Sequence, residues 1–239
     1  MSLIKHHLLT AGYHFKIIQN DLEADALWET YQLRYEIYCL ERHFLSEKVF
    51  QTEKESDQYD DCSIHFASYT QKENRLVGTV RLVQPKAEQR YPFEEYCSVF
   101  PKLSPPPREQ TAEVSRLVIK KDYRYNQKHD KRLILGLYKQ MYGYSQQNGI
   151  RYWYAAMEDS LSHSLEKIGV KLNVIGPSAD YYGTVTPYLI DLEETMAYLK
   201  QKNPFLNAWF KSESIPMWLW IKGLLVPLVK NRLRQKHSP

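Results

Sequence analysis

The sequence predicts an α/β sandwich: a central mixed, mostly antiparallel sheet flanked by helices, with a helical extension at the C-terminal end. Three observations carry this. Apolar periodicity changes along the chain in the order β-α, then β-β-β, then α-β-α-β-β. Two of the central strands are joined by the short polar turn "QKEN". No internal repeat or low-complexity tract interrupts the order, and 239 residues suffice for one full core or for a core with an appendage.

Tyr13–Gln19, "YHFKIIQ", reads as a short strand, and Asp21 to about His43 as a helix with Asn20 or Asp21 as its cap. Leu27, Tyr31, Arg34 and Tyr38 follow at helical spacing and share a face, which sets Arg34 on the apolar stripe. Residues 46–61 are polar and acidic and read as a loop. Ser63–Thr70 and Arg75–Gln84 are strands, and on the second Val77, Thr79, Arg81 and Val83 share one face. Pro85, Pro92, Pro101 and Pro105–Pro107 mark residues 85–110 as a long irregular excursion. The strand "TAEVSRLVI", 111–119, comes next, then the basic loop "KKDYRYNQKHDKR" and a helix over about 130–148. "IRYWYAAME" is a strand, "DSLSHSLEKIG" a short helix closed by Gly169, and "KLNVIG" and "TVTPYLIDL" two more strands. A helical region covers 193–236, broken near Pro204 and Pro216. The expected division is a sandwich domain over 1–192 and a helical extension over 193–239.

Composition narrows the function. A net charge of +4 is too mild to argue for nucleic acid as a partner. Three separated cysteines, Cys39, Cys62 and Cys97, fit a reducing compartment better than a disulfide scaffold. The eight histidines lack metal-ligand spacing, so no metal site is expected. The start, "MSLIKHHLLTAGYHF", lacks the apolar core of a signal peptide, and no apolar run is long enough to span a membrane. The expectation is a cytoplasmic enzyme or binding protein. Tyrosine is abundant at 19 residues, against 8 Phe and 5 Trp, which suits grooves and half-buried surfaces.

The chemistry concentrates in a few charges placed where apolar residues belong. Arg34, Asp57 and Asp60 of "DQYD", Arg81, Glu113 and Arg116 all fall on interior or cleft positions. A lone buried charge costs several kcal/mol, so such groups are paired. Three arginines and three carboxylates can neutralise one another, either as a purely structural network or as the frame of a site. Glu113 and Arg116 pose a further problem. Three residues apart, they point to opposite faces of a regular strand, so a shared site requires a β-bulge between them.

The motifs "R-x3-Y" at Arg34–Tyr38, "DQYD", "GTVRL" at 78–82 and "EVSR" at 113–116 resemble the signature of acyl-homoserine-lactone synthases. Those are a branch of the GNAT acyltransferases, whose element order matches the one above. The blocks "LRYEIYCLERHFL", "VGTVRLV", "EVSRLVI", "AAMEDSL" and "ADYYGTVTPY" resemble more closely the acyltransferases associated with exosortase systems, which are related to long-chain N-acyl amino acid synthases. Together these blocks span roughly residues 25–190. Two departures stand out. Phe44 occupies the place where the lactone synthases carry Trp, which counts against enclosing S-adenosylmethionine. "RYNQKHDKR" replaces the Gly-rich loop that cradles a pyrophosphate.

The resemblance implies a GNAT-like fold and N-acyl transfer by direct aminolysis. Glu113 is then the general base, its pKa raised by burial. A backbone N–H near Leu117–Val118 would polarise the acyl carbonyl. Arg34, Tyr38, Phe44, Asp57, Asp60, Arg81, Ser115 and Arg116 form the active-site frame, with Arg116 or Arg81 open to an acceptor carboxylate. No tightly bound cofactor is implied. The donor would be an acyl group on acyl carrier protein, in preference to acyl-coenzyme A, and the acceptor a small amine or amino acid. Lys120, Lys121, Arg124, Lys128, Lys131 and Arg132 would dock the acidic carrier, or else form a solvated loop. Ser115, Ser160, Ser162 and His163 lack the G-x-S-x-G elbow of a serine nucleophile. The segment 215–236, "IPMWLWIKGLLVPLVKNRLRQK", reads as an interfacial helix at the inner face of the membrane, a tunnel cover or a dimer contact. Two other functions stay open: a homoserine-lactone synthase using S-adenosylmethionine, and a non-catalytic module that binds acyl chains or a partner.

Overall fold

A computed structural model of the chain describes residues 12–19, 23–125 and 132–211. The segment 215–236, and with it any membrane contact there, lies outside the described residues, as do Asn20, Asp21, Lys128 and Lys131. The strands are β1 (Tyr13–Ile18), β2 (Ser63–Thr70), β3 (Leu76–Val83), β4 (Thr111–Ile119), β5 (Tyr152–Met157), β6 (Asn173–Val174), β7 (Ala179–Asp180) and β8 (Thr184–Asp191). They form a sheet in the order β1-β2-β3-β4-β5-β8-β6, with β7 also pairing with β8. Every pairing is antiparallel except β4 with β5. This is the mostly antiparallel sheet that the element order predicts.

The alternation of side chains sorts the sheet into two faces. On one face Phe66, Val80, Leu82, Ala112, Trp153 and Ala155 pack with α3 (Arg132–Gln147) through Leu137, Tyr138 and Met141, forming the main core. Gly136 lets α3 settle close, since a Cβ there would fall inside the ring of Phe15 on β1. On the other face Ile18, Ala67, Tyr69 and Val118 receive Leu33 and Ile37, from α1 (Ala24–Tyr35) and the π-helical turn Glu36–Glu41 that continues it. The excursion 85–110 folds over the β4–β5 end of that face, burying Tyr91, Phe93 and Cys97 against Tyr154.

Several elements differ from those the sequence predicts. The helix expected over 21–43 is regular only from Ala24 to Tyr35 and then widens into the π turn, which brings Tyr38 and Phe44 together. The basic loop after β4 contains a short helix, α2 (Lys121–Tyr125). "KLNVIG" supplies only the two residues of β6. Helix α4 (Asp159–Ile168) ends where expected, at Gly169, whose φ of 102° closes a left-handed cap. The segment beyond 192 begins as α5 (Leu192–Lys202), capped by Asp191 through the backbone N–H groups of Glu193 and Glu194, and continues as α6 (Pro204–Lys211). Both helices enter the main core, through Met196, Leu199, Leu206 and Trp209. Among the described residues, no helix is long and apolar enough to cross a membrane.

Candidate active site

The site starts from a conflict in β4. Val83 pairs with Glu113, Leu82 with Val114 and Arg81 with Ser115; the register then slips, and Thr79 pairs with Val118. Two residues of β4, Arg116 and Leu117, therefore stand opposite the single residue Val80. That is a β-bulge, and Arg116 takes a φ of 53°, in the left-handed region. The bulge lies one step later than the parity of the charges suggests: Glu113–Ser115 is regular, and Arg116 itself turns. An unfavourable backbone at an arginine persists only where its surroundings hold it.

What holds it is a buried ion cluster. Arg34 is 1% exposed; its Nε donates to Glu55 at 2.5 Å and its two Nη atoms to the oxygens of Asp60 at 2.6 and 3.1 Å. Arg81 reaches both oxygens of Asp57 at 2.7 and 2.8 Å, Asp60 at 2.6 Å, and Ser115 Oγ through Nε at 2.9 Å. Arg116 donates from Nε to Glu55 at 3.1 and 3.2 Å and from Nη2 to Asp57 at 3.0 Å, and its Nη1 lies 3.4 Å from the Tyr181 hydroxyl. Three guanidiniums thus face three carboxylates. Burial alone would raise the carboxylate pKa values, but Arg34 and Arg116 hold Glu55 below its ordinary range, and Arg34 and Arg81 do the same for Asp60. The cluster pins the acidic loop 46–61 to the sheet. His65 lies beneath it with neither ring nitrogen hydrogen-bonded, its Nε2 lying 3.7 Å from Asp60, and burial lowers its pKa to about 4, so it is neutral.

The third carboxylate is not the expected one. Glu55, not Glu113, completes the cluster, and Glu113 stands apart. It is 1% exposed, with Oε2 accepting a hydrogen bond from the backbone N–H of Phe93 at 2.9 Å. Burial raises its pKa to about 8, against the lowering effects of that N–H, Arg81 and Arg116. A second expectation is overturned as well. Arg81 and Arg116 are engaged by Asp57, Asp60 and Glu55, so neither stands open to an acceptor carboxylate.

Glu113 opens onto a cavity because β4 and β5 part company. The two parallel strands pair only over Thr111–Glu113 and Tyr152–Tyr154. Beyond these pairs the fork widens, and a cavity of about 390 Å³ fills it. Glu113, Ser115, Arg116, Leu117 and Val118 line it from β4, and Trp153, Ala155 and Met157 from β5. Tyr138, Tyr142, Leu165, Ile168, Met196, Leu199 and Phe210 supply an apolar lining from α3, α4, α5 and α6. At the polar end Tyr38 lies under the Arg116 guanidinium at 5.4 Å, and Phe44 stacks on Tyr182 at 6.3 Å. Tyr181 stacks on Tyr96 at 4.0 Å.

The fold therefore brings together Glu113, Leu117, Val118 and all eight frame residues. The docking set fares differently. Lys120 pairs with Glu36 at 3.0 Å, Arg124 with Glu41, and the Arg132 guanidinium lies over the Tyr13 ring. The excess of positive charge read along the sequence is thus partly neutralised by α1's continuation, and Lys121 is left exposed. Among the described residues, no group of His, Cys, Asp and Glu is arranged to hold a metal ion. Sequence reasoning missed Glu55, Tyr181, Tyr182 and Arg42. Glu55 had a faint signal, standing two residues before Asp57 in an acidic run, and the two tyrosines lay in the block "ADYYGTVTPY".

Residues 33–134 match a family model described as an acetyltransferase (GNAT) domain. That span holds the whole ion cluster and Glu113. Among solved structures, a CoA-dependent acyl-homoserine lactone synthase, BjaI, with SAM and isopentyl-CoA, superposes with a TM-score of 0.61 at 21% identity, over 80% of this chain and 89% of its own. The AHL synthase LasI gives 0.61 at 17% identity, over 76% and 91%. TofI, in a ternary complex with an inhibitor and MTA, gives 0.60 at 18% identity, over 78% and 96%. No curated protein sequence matches the chain. The fold is the GNAT-like acyl-CoA N-acyltransferase fold.

Proposed function

We propose that the protein is an N-acyltransferase that moves a long-chain fatty acyl group from a thioester to the amine of an amino acid or similar small acceptor. The observation that carries this reading is the buried, unpaired Glu113 at the polar end of an apolar cavity. A base of raised pKa beside a slot for an acyl chain is the pairing that aminolysis of a fatty thioester needs. Glu113 takes the proton from the ammonium or attacking amine, directly or through a water. The amine adds to the thioester carbonyl, a backbone N–H at Leu117–Val118, beside the Arg116–Leu117 bulge, stabilises the oxyanion, and the thiolate leaves and takes up the proton the amine gives up. The ion cluster keeps loop 46–61 and Arg116 in place while this happens.

The donor is an acyl thioester on acyl carrier protein; coenzyme A is the second choice, and the CoA-dependent neighbours support it as a candidate. The narrower likeness, to exosortase-associated acyltransferases and N-acyl amino acid synthases, rests on the sequence blocks alone. A second reading, a homoserine-lactone synthase, is favoured by the same structural neighbours and opposed by Phe44 in place of Trp. A non-catalytic module is the third. Mass spectrometry of lipids from expressing cells separates them: N-acyl amino acids are expected, lactones would move the assignment to the second reading, and no new amide to the third.

The apolar lining carries its own prediction. Leu165 is buried on α4 and faces the cavity. Leu165→Trp fills that space, and each methylene that no longer fits costs about 1–3 kcal/mol, roughly 10- to 200-fold in kcat/KM. The product profile is expected to shift to shorter acyl chains. An unchanged chain-length profile would remove the fork cavity as the acyl site.

A further inference from the structure

If the acceptor is an amino acid, something must hold its carboxylate, and the arginines at the heart of the site are not available for it. Arg34 and Arg81 give their guanidinium faces to Glu55, Asp57, Asp60 and Ser115, and Arg116 gives its own to Glu55, Asp57 and Tyr181. The cluster carries as many negative as positive charges. An acceptor carboxylate placed there would meet three carboxylates at close range, and it would have to break buried pairs to gain one bond.

Three arginines line the cavity: Arg42, Arg116 and Arg124. Arg124 is paired with Glu41 and Arg116 with the cluster. Arg42 differs. It is exposed at the end of the π turn, its guanidinium lies 5.8 Å from the centre of the Phe44 ring, and no carboxylate among the described residues pairs with it. Phe44 in turn stacks on Tyr182, so the cation sits on the aromatic rim of the same cavity that Glu113 lines. Its backbone is anchored, with the Arg42 N–H bonded to the Ile37 carbonyl at 2.9 Å. An arginine seated against a ring, with its fork unengaged, is suited to bidentate capture of a carboxylate.

We propose that Arg42 is the specificity-determining residue of the acceptor site and binds the carboxylate of an α-amino acid, so that free acids are acylated in preference to amines lacking that group. This rests on the N-acyltransferase reading. It identifies the acceptor class by a group outside the ion cluster, and it leaves Glu113 as the only carboxylate required to meet the amine.

The test supplies a hexadecanoyl thioester of N-acetylcysteamine, which carries no phosphate. The acceptors are an equimolar mixture of the proteinogenic L-amino acids and, separately, of their carboxamides. Purified full-length chain is used as wild type, Arg42→Gln and Arg42→Lys, each checked for an unchanged melting temperature. Wild type is expected to favour acids over carboxamides at least about tenfold in kcat/KM; Arg42→Gln should erase most of that ratio, and Arg42→Lys should restore part of it. A ratio that survives in Arg42→Gln overturns the proposal. So does an equal loss on acids and carboxamides, and so does a loss seen only when hexadecanoyl-coenzyme A, run in parallel, replaces the N-acetylcysteamine thioester, which would assign Arg42 to the donor. If wild type acylates no amine at all, the transferase reading fails by itself. Equilibrium dialysis of the labelled amino-acid mixture then decides the Arg42 site: retention lost in Arg42→Gln supports it, and equal retention ends it.

Discussion

Glu113→Gln is expected to reduce acyl transfer by about 10²- to 10⁴-fold, the usual contribution of a positioned general base, while the protein folds normally. The glutamine side-chain oxygen can still accept the Phe93 N–H bond, so the replacement removes the titrating group and little else. The pH dependence sharpens the test. With a pKa of about 8, Glu113 is mostly protonated at neutral pH, and only its ionised form accepts a proton. The wild-type kcat/KM should rise through about pH 8 and then level off. A limb that stays in place when acceptors of different amine pKa are compared belongs to the protein, and it should vanish in the variant. Unchanged turnover in Glu113→Gln would remove this residue as the base.

The same substitution should act on stability in the opposite direction. The folded-state pKa of Glu113 lies above its ordinary value of 4.5. The folded protein therefore keeps a proton that the unfolded chain releases between about pH 4.5 and 8, and stability is lost as pH rises through that window. Glutamine cannot ionise and escapes the loss. Thermal unfolding at pH 8.5 should show Glu113→Gln more stable than wild type, by about 1–3 kcal/mol, with the difference closing at pH 5. Greater stability together with lost activity is the mark of a residue kept for chemistry.

Arg34→Ala should be the most damaging single substitution for stability, at about 3–5 kcal/mol in denaturant unfolding, because it leaves Glu55 and Asp60 charged, buried and half-partnered. Arg151 provides the internal control. It too pairs with two carboxylates, Asp191 and Glu193, but its side chain is 40% exposed where that of Arg34 is 1% exposed. Arg151→Ala should leave stability nearly unchanged, since water screens an exposed pair. Equal losses for the two would mean that burial does not set the strength of the cluster.

The sequence carried much of this, unevenly. Arg34 and Arg81 were legible as interior charges because the helix and strand periods put them among apolar neighbours, and both are buried. The bulge was legible as a contradiction in parity, though its position was not: the strand stays regular to Ser115 and yields at the arginine, where the pull of Glu55 and Asp57 acts. Glu55 was not legible as the third carboxylate. It sits in a loop without periodicity, and its partners lie 21 and 61 residues away, a pairing that no local rule encodes. Arg42 was hidden for a related reason. What distinguishes it is that its neighbours are already taken, and that is a property of the assembled cluster. The counter-charges on Lys120 and Arg124 were missed because Glu36 and Glu41 belong to a helical stretch some 80 residues earlier, where they read as ordinary solvated acids.

The short pairing of β4 with β5 has a mechanical consequence. Among the described residues, three residue pairs make up the strand pairing between the hairpin half of the sheet, β1 to β4, and the half built on β5, β8 and β6. The two plates are otherwise kept together by the helices that bridge them, by the excursion 85–110 folded over the β4–β5 end, and by whatever fills the wedge. A long hydrocarbon guest lying in that wedge would touch both plates at once and act as a keel, stiffening the joint it occupies. Leaving would loosen the same joint, so the line along which the molecule opens most cheaply is also the line along which the product of the proposed reaction would depart.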